Sequence, residues 1–291
     1  MIKVIACDMD GTLLDVDHRL NEKTAEVIRR ACGTGIRFML VTGRTFEGAV
    51  RALAGAKIEC DYIVNSGAEV RNPQKEVLFS GLMNLDDCRA AYEVLKRYSA
   101  SYIFCTNEEE YCIGGEEELE RNVREHIFTF NQSISPDEIK ESETYQVLMK
   151  KTRAVPDFED LAALGAKLTK VFIFSNDIEM LGKLKAELQT LSNVAVSSSF
   201  YNNLEVTDLK AQKGPVLKKY IEDLGYTMDE VMVFGDSLND YSMLSMNFGV
   251  TVAMENAHPD IKKVCKYVTK SNAEDGVAFA IEKLLKHMNQ E

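Results

Sequence analysis

The chain has 291 residues, 45% of them hydrophobic and 27% charged, a globular composition with room for one large domain or two ordinary ones. Its 34 lysines and arginines face 46 aspartates and glutamates, a net charge of −12 that repels nucleic acid and anionic membranes and predicts neither as a partner. No apolar run is long enough to span a bilayer. The start, Met1-Ile2-Lys3-Val4-Ile5-Ala6-Cys7, meets Asp8 too soon for a signal peptide, and seven cysteines without a Cys-x-x-Cys pair predict a reducing cytoplasm.

Lys3 to Cys7 reads as a short buried strand. Thr24, Val27, Ile28 and Ala31 recur at helical spacing behind Asn21, a candidate N-cap, and Gly33 and Gly35 end that helix. Arg37 to Val41 is a second strand, Phe46 to Leu53 a helix, and Tyr62 to Val64 a third strand. This alternation predicts a parallel sheet with crossover helices. Near residue 83 the pattern changes. Asp86 to Tyr98 reads as helix, Ser101–Cys105 and Glu110–Ile113 as a hairpin, and Glu116 to Ile127 as helix. Pro136 to Pro156 gives no clear pattern. Lys170–Phe174, Ile178–Leu191 and Val194–Ser197 read as strand, helix and strand. After Lys213 the alternation resumes, with a helix to Leu224, strands at Val231–Phe234, Phe248–Val252 and Tyr267–Thr269, and a last helix from Val277. The expected fold is α/β: a doubly wound parallel-sheet core, residues 1–83 and 209–291, with an α+β insert over 84–208.

In an open parallel sheet, ligands bind beyond the carboxyl ends of the strands. There the sequence places Asp8-Met9-Asp10-Gly11-Thr12, Thr42-Gly43-Arg44 and Gly235-Asp236-Ser237-Leu238-Asn239-Asp240. Two residues apart on an extended segment, Asp8 and Asp10 can face one site. Paired carboxylates repel unless a cation neutralises them, and oxygen-only ligands, with Asp236 and Asp240 adding more, suit magnesium. Gly11 and Thr12 permit a tight turn with backbone N–H groups open to an anion. Taken alone, Asp-x-Asp also fits a calcium loop, a cap or a solvated turn. Lys213 reads either as a surface lysine or as the fixed cation an acidic phosphate site needs. Thr42 reads as a hydroxyl donor to phosphate or as a helix cap. The four histidines, His18, His126, His258 and His287, have no zinc-ligand spacing.

These strings resemble the four motifs of the haloacid dehalogenase superfamily, and more narrowly its Cof-type branch, subclass IIB. Asn65-Ser66-Gly67-Ala68, Met254-Glu255-Asn256-Ala257 and Ser271 to Val277 are similar to further strings of that branch, although Glu255 replaces a frequent glycine. The resemblance implies a Rossmann-like core with an inserted cap that sets substrate specificity. It implies Asp8 as nucleophile, Asp10 as general acid and base, and Thr42 and Lys213 on the phosphoryl oxygens. Met9, Gly43, Arg44 and Asn239 would line the phosphate. Magnesium would take Asp8, the backbone carbonyl of Asp10 and Asp236, with Asp240 in support. The expected activity is magnesium-dependent hydrolysis of small phosphate esters, sugar phosphates first, through an aspartyl-phosphate. A phosphomutase or transferase using the same aspartate and a non-enzymatic regulator are the alternatives. A dinucleotide oxidoreductase is disfavoured, since no Gly-x-Gly-x-x-Gly follows the first strand. Oligomeric state stays open.

Overall fold

The computed structural model describes residues 1–288. The chain divides into two compact units, Met1–Gly81 together with the segment from Lys210 onward, and Leu82–Leu209. The described residues form fourteen strands. The first unit holds β1 (Val4–Cys7), β2 (Arg37–Val41), β3 (Asp61–Val64), β4 (Glu69–Arg71), β5 (Val77–Ser80), β12 (Val231–Gly235), β13 (Val250–Ala253) and β14 (Tyr267–Val268). The second holds β6 (Ser101–Cys105), β7 (Glu110–Ile113), β8 (Thr152–Val155), β9 (Lys170–Phe174), β10 (Val194–Ser197) and β11 (Asn203–Asp208).

The first sheet runs β14-β13-β12-β1-β2-β3-β4-β5. β1 pairs in parallel with both β2 and β12, with Val4 opposite Arg37 and Val231. The chain thus winds outward from β1 to β3, returns beside β1 as β12, and winds outward again. The reversal falls between β1 and β12, a switch point beyond which a ligand crevice opens. β4 and β5 add antiparallel strands at the far edge. Val4 to Cys7 and Val231 to Gly235 are wholly buried, as a strand covered on both faces must be. Helices Glu22–Gly33 and Gly276–Met288 pack on each other, burying Val27, Ile28, Ala31, Val277 and Ile281. Each buried valine or isoleucine there contributes roughly 1.5–3 kcal/mol. Asn21 caps the first helix by accepting from Lys23 N.

The second sheet runs β10-β11-β9-β6-β7-β8, antiparallel except for β7 with β8. One face packs Phe104, Val171, Ile173, Leu204 and Val206 against helices Leu85–Leu95, Phe158–Ala163 and Ile178–Leu188. On the other face, helix Glu116–Phe130 lays Leu119, Val123 and Ile127 over Cys112. β11, which the sequence pattern does not indicate, pairs with both β9 and β10. Its polar residues Asn203, Glu205 and Thr207 are buried, Glu205 beside Lys170 at 3.3 Å, so its composition resembles a surface loop. The patternless stretch after Pro136 holds helix Glu143–Lys151 and β8. That helix buries no residue fully and so has no sharp apolar stripe.

Candidate active site

Asp8 leaves β1 in extended conformation, its N–H donating to the Phe234 carbonyl of β12 at 3.1 Å. Met9–Leu13 then form a wide turn, closed by Leu14 N–H donating to the Met9 carbonyl at 2.9 Å. Met9 is fully buried, so its side chain anchors the turn in the core and any anion contact falls to its backbone. Gly11 sits at φ +77°, and a Cβ there would lie 2.4 Å from Asp236 Oδ2. Only glycine lets the turn pass the Asp236 carboxylate this closely.

Asp8, Asp236 and Asp240 bring carboxylate oxygens within 4.8 Å of one another. Lys213 opens helix Lys213–Asp223 and is 1% exposed, so the reading as a surface lysine is wrong. Its ammonium donates to Asp8 Oδ1 at 2.6 Å and to Asp240 Oδ1 at 2.7 Å. Gly214 places this helix start: a Cβ there would sit 1.9 Å from the Ser242 carbonyl oxygen, so no larger residue fits. Asp240 Oδ2 accepts from the backbone N–H groups of Asp236 and Ser237, at 3.0 and 3.2 Å, so both its oxygens are in use. Asp236 Oδ1 accepts from Thr12 Oγ1 at 3.0 Å.

Two carboxylates thus share one ammonium, with the Asp236 carboxylate alongside. Burial, then repulsion from Asp240, pushes the Asp8 carboxyl well above the usual carboxylate range. The same causes, in the same order, raise Asp236 to about 7. Burial opposes the charge on Lys213, but attraction to Asp240 and Asp8 outweighs it and holds the ammonium above the ordinary lysine value. The cluster carries a surplus of negative charge that a small hard cation fits.

Asp10 does not join this cluster. Its carboxylate is gripped by Arg44, Nε to Oδ2 at 2.7 Å and Nη2 to Oδ1 at 2.5 Å, and contacts His18 Nδ1 at 3.1 Å. Its carboxylate therefore lies beside the cluster, close enough to repel Asp236, but is held by Arg44, because a bidentate guanidinium out-competes an acidic neighbourhood for a carboxylate. Burial would raise the Asp10 carboxyl, but Arg44 and then His18 hold it below the usual value. Sequence pattern misses His18 because it is an exposed turn residue, at φ 57°, with no motif around it.

Thr42 follows β2 and is buried; its Oγ1 accepts from Arg44 N at 3.1 Å, leaving the O–H to donate elsewhere. The helix beyond is capped by Thr45 and not by Thr42. Its loop is tied down on both sides of Gly43, where Ser66 N–H donates to the Thr42 carbonyl at 3.0 Å and Asn65 N–H to the Arg44 carbonyl at 2.8 Å. Asn239 Oδ1 accepts from Ser237 Oγ at 2.7 Å.

A sequence profile of the haloacid dehalogenase-like hydrolases matches residues 5–281. The chain belongs to that family. The hydrolase is 29% identical over 288 residues to the 5-amino-6-(5-phospho-D-ribitylamino)uracil phosphatase YwtE of Bacillus subtilis, covering 98% of each chain. It is 27% identical over 289 residues to Phosphatase YwpJ of the same organism, covering 98% of this chain and all of that one. A solved haloacid dehalogenase-like hydrolase from B. subtilis superposes with a TM-score of 0.81 at 26% identity, covering 97% of this chain and 99% of the other. The hydrolase is thus a phosphatase of the haloacid dehalogenase superfamily, with a Rossmann-like core and an inserted cap, acting on phosphoric monoesters. Among its described residues no helix is long and apolar enough to cross a membrane.

Proposed function

We propose that this hydrolase is a magnesium-dependent phosphatase of small phosphorylated metabolites, sugar and sugar-alcohol phosphates foremost, working through a phosphorylated Asp8. The observation that carries the reading is the cluster at the β1/β12 switch point: three carboxylates within 4.8 Å and one buried ammonium. Asp8, Asp236 and the Asp10 backbone carbonyl would hold the metal. Asp240 serves Lys213 and the turn after β12 instead, because both its oxygens are engaged. Bound magnesium would supply a Lewis acid that screens the carboxylates from an anionic substrate.

Asp8 attacks phosphorus, and the bond to the leaving oxygen breaks. Asp10 gives that oxygen a proton, then takes one from the water that attacks the same phosphorus. The bond to Asp8 breaks, releasing inorganic phosphate. Lys213 and the Thr42 hydroxyl stabilise the charge on the transferring oxygens. Arg44 exchanges its grip on Asp10 for the arriving phosphate, which frees Asp10 to act as an acid. Choice among leaving groups belongs to the cap, residues 82–209. The sugar-alcohol assignment is supported by the phosphoribitylamino substrate in the name of the YwtE relative.

Phosphate release from a panel of metabolite esters, without any acceptor, tests the whole reading. Turnover should require magnesium and vanish in Asp8→Asn. Full activity in excess EDTA, or in Asp8→Asn, would overturn it. Transfer to an added sugar without phosphate release would make the protein a mutase.

A further inference from the structure

Two strings have no task in this chemistry: Met254-Glu255-Asn256-Ala257 and Ser271-Asn272. In the folded core they converge on the turn that follows the nucleophile. Asn256 Nδ2 donates to the Gly11 carbonyl at 2.8 Å, and its Oδ1 accepts from Asn272 N–H at 3.0 Å. Asn272 Nδ2 in turn donates to the Leu14 carbonyl at 2.8 Å. Two asparagines, joined to each other, therefore hold the middle and the end of the Met9–Leu13 turn.

The backbone carries them there. Ala257 N–H closes back on the Met254 carbonyl at 3.0 Å, and His258 N–H donates to the Asp236 carbonyl at 2.8 Å. Gly276 N–H donates to the Ser271 carbonyl at 3.0 Å. Glu255 takes part through its backbone, its N–H reaching the Lys270 carbonyl at 3.3 Å, which is why a side chain is tolerated at that position.

A peptide unit is planar, so the Gly11 carbonyl and the Thr12 N–H point opposite ways on one rigid plate. Fixing the carbonyl on Asn256 aims that N–H. It also fixes the start of Thr12, whose hydroxyl reaches Asp236 Oδ1 at 3.0 Å. Gly11 has the conformational freedom to let this plate rotate if released.

We propose that Asn256, relayed through Asn272, is a positioning residue: it sets the Gly11–Thr12 peptide plane, and thereby the aim of the Thr12 N–H and of the Thr12 hydroxyl that reaches Asp236, in the turn that follows the nucleophile. The ordinary alternative is a surface asparagine that merely tidies a loop. The two differ in what they predict. Asn256 is exposed, so its hydrogen bonds add little to stability. Reacting groups, in contrast, lose about 10²-fold in rate on a misplacement near 1 Å. The inference rests on Asp8 as nucleophile.

The test is turnover of p-nitrophenyl phosphate with magnesium by the intact chain. Asn256→Leu removes both hydrogen bonds with little change in size. Its kcat should fall roughly 10–100-fold. KM should stay within about threefold, and Tm should fall no more than about 3 °C. Asn256→Ser, which falls short of the carbonyl, should behave alike and replaces it if the leucine variant misfolds. Asn272→Leu should also slow turnover, and the double variant should be no more than about threefold slower than the slower single one, because the pair acts as one unit. The proposal is overturned by kcat within twofold of the parent in both Asn256 variants, by losses that only track large falls in Tm, or by effects that multiply. Turnover that survives Asp8→Asn would overturn the nucleophile reading, and this one with it.

Discussion

Lys213→Met offers a test whose size follows from the structure. Methionine keeps much of the volume and deletes the ammonium that lies 2.6 Å from Asp8 and 2.7 Å from Asp240. What remains is two buried carboxylates, Asp8 and Asp240, beside the half-buried Asp236, with no cation among them. Leaving a buried charge unpaired costs about 3–5 kcal/mol. For a unit of this size that is about 10 °C in Tm. The loss should depend on pH in a definite direction. Asp8 and Asp236 have folded values above their unfolded ones, Asp236 at about 7. The folded state therefore binds more protons, and stability falls as pH rises from about 4 toward 7. Removing Lys213 sharpens the repulsion, so metal-free Lys213→Met should lose more Tm at pH 8 than at pH 5. Its kcat should fall about 10²–10³-fold, the effect of deleting a preorganised group at developing charge. Thermal melts in EDTA at the two pH values, with steady-state kinetics in magnesium, read both effects. A Tm unchanged at pH 8 together with a loss of kcat under twofold would refute the reasoning.

Asp10→Asn should keep the nucleophile and lose proton transfer, releasing up to one equivalent of nitrophenol in a burst and then stalling, whereas an alkyl sugar phosphate should give no comparable burst; steady turnover near the parent rate in rapid-quench experiments would refute the acid–base role. Gly11→Ala puts a Cβ 2.4 Å from Asp236 Oδ2 at a φ of +77°. Activity should fall at least about 10²-fold, and parent-like kinetics would show that the turn is not held against Asp236. In the cap, burial lowers His126 to about 4, and its Nδ1 has no hydrogen-bond partner among rings that include Phe130, Phe172 and Phe174. The unfolded chain then takes the proton first, so stability drops as pH falls from about 6.5 to 4, by roughly 3–4 kcal/mol at most. His126→Phe should flatten that acid slope in thermal melts, and an unchanged slope would place the sensitivity elsewhere.

The short apolar strands and the polar strings after them are legible in the chain itself, because a strand buried on both faces must be continuously apolar. That pattern alone is enough to put Asp8, Thr42 and Asp236 at strand ends. The sequence also carries the alternation that makes the sheet parallel. It does not carry strand order. That β12 returns beside β1, and so brings Asp236 and Asp240 to Asp8, is decided by packing between segments more than two hundred residues apart. Strand β11 is hidden for a related reason: Glu205 is polar by composition, and partners that include Lys170 across the sheet and Ser199 satisfy its carboxylate where it is buried.

The same limit governs the side chains of the site. Spacing indicates that Asp8 and Asp10 are neighbours, but the bidentate grip of Arg44 decides which of them enters the acidic cluster. Composition leaves Lys213 open between a surface lysine and a fixed cation, and two carboxylates from distant segments bury it as a cation. His18 and the paired Asn256 and Asn272 gain a purpose only through partners with which they share no sequence pattern. Local sequence sets backbone conformation through short-range sterics and the burial of alternate residues. Hydrogen bonds and ion pairs between remote segments depend on ångström distances that exist only once the chain has folded.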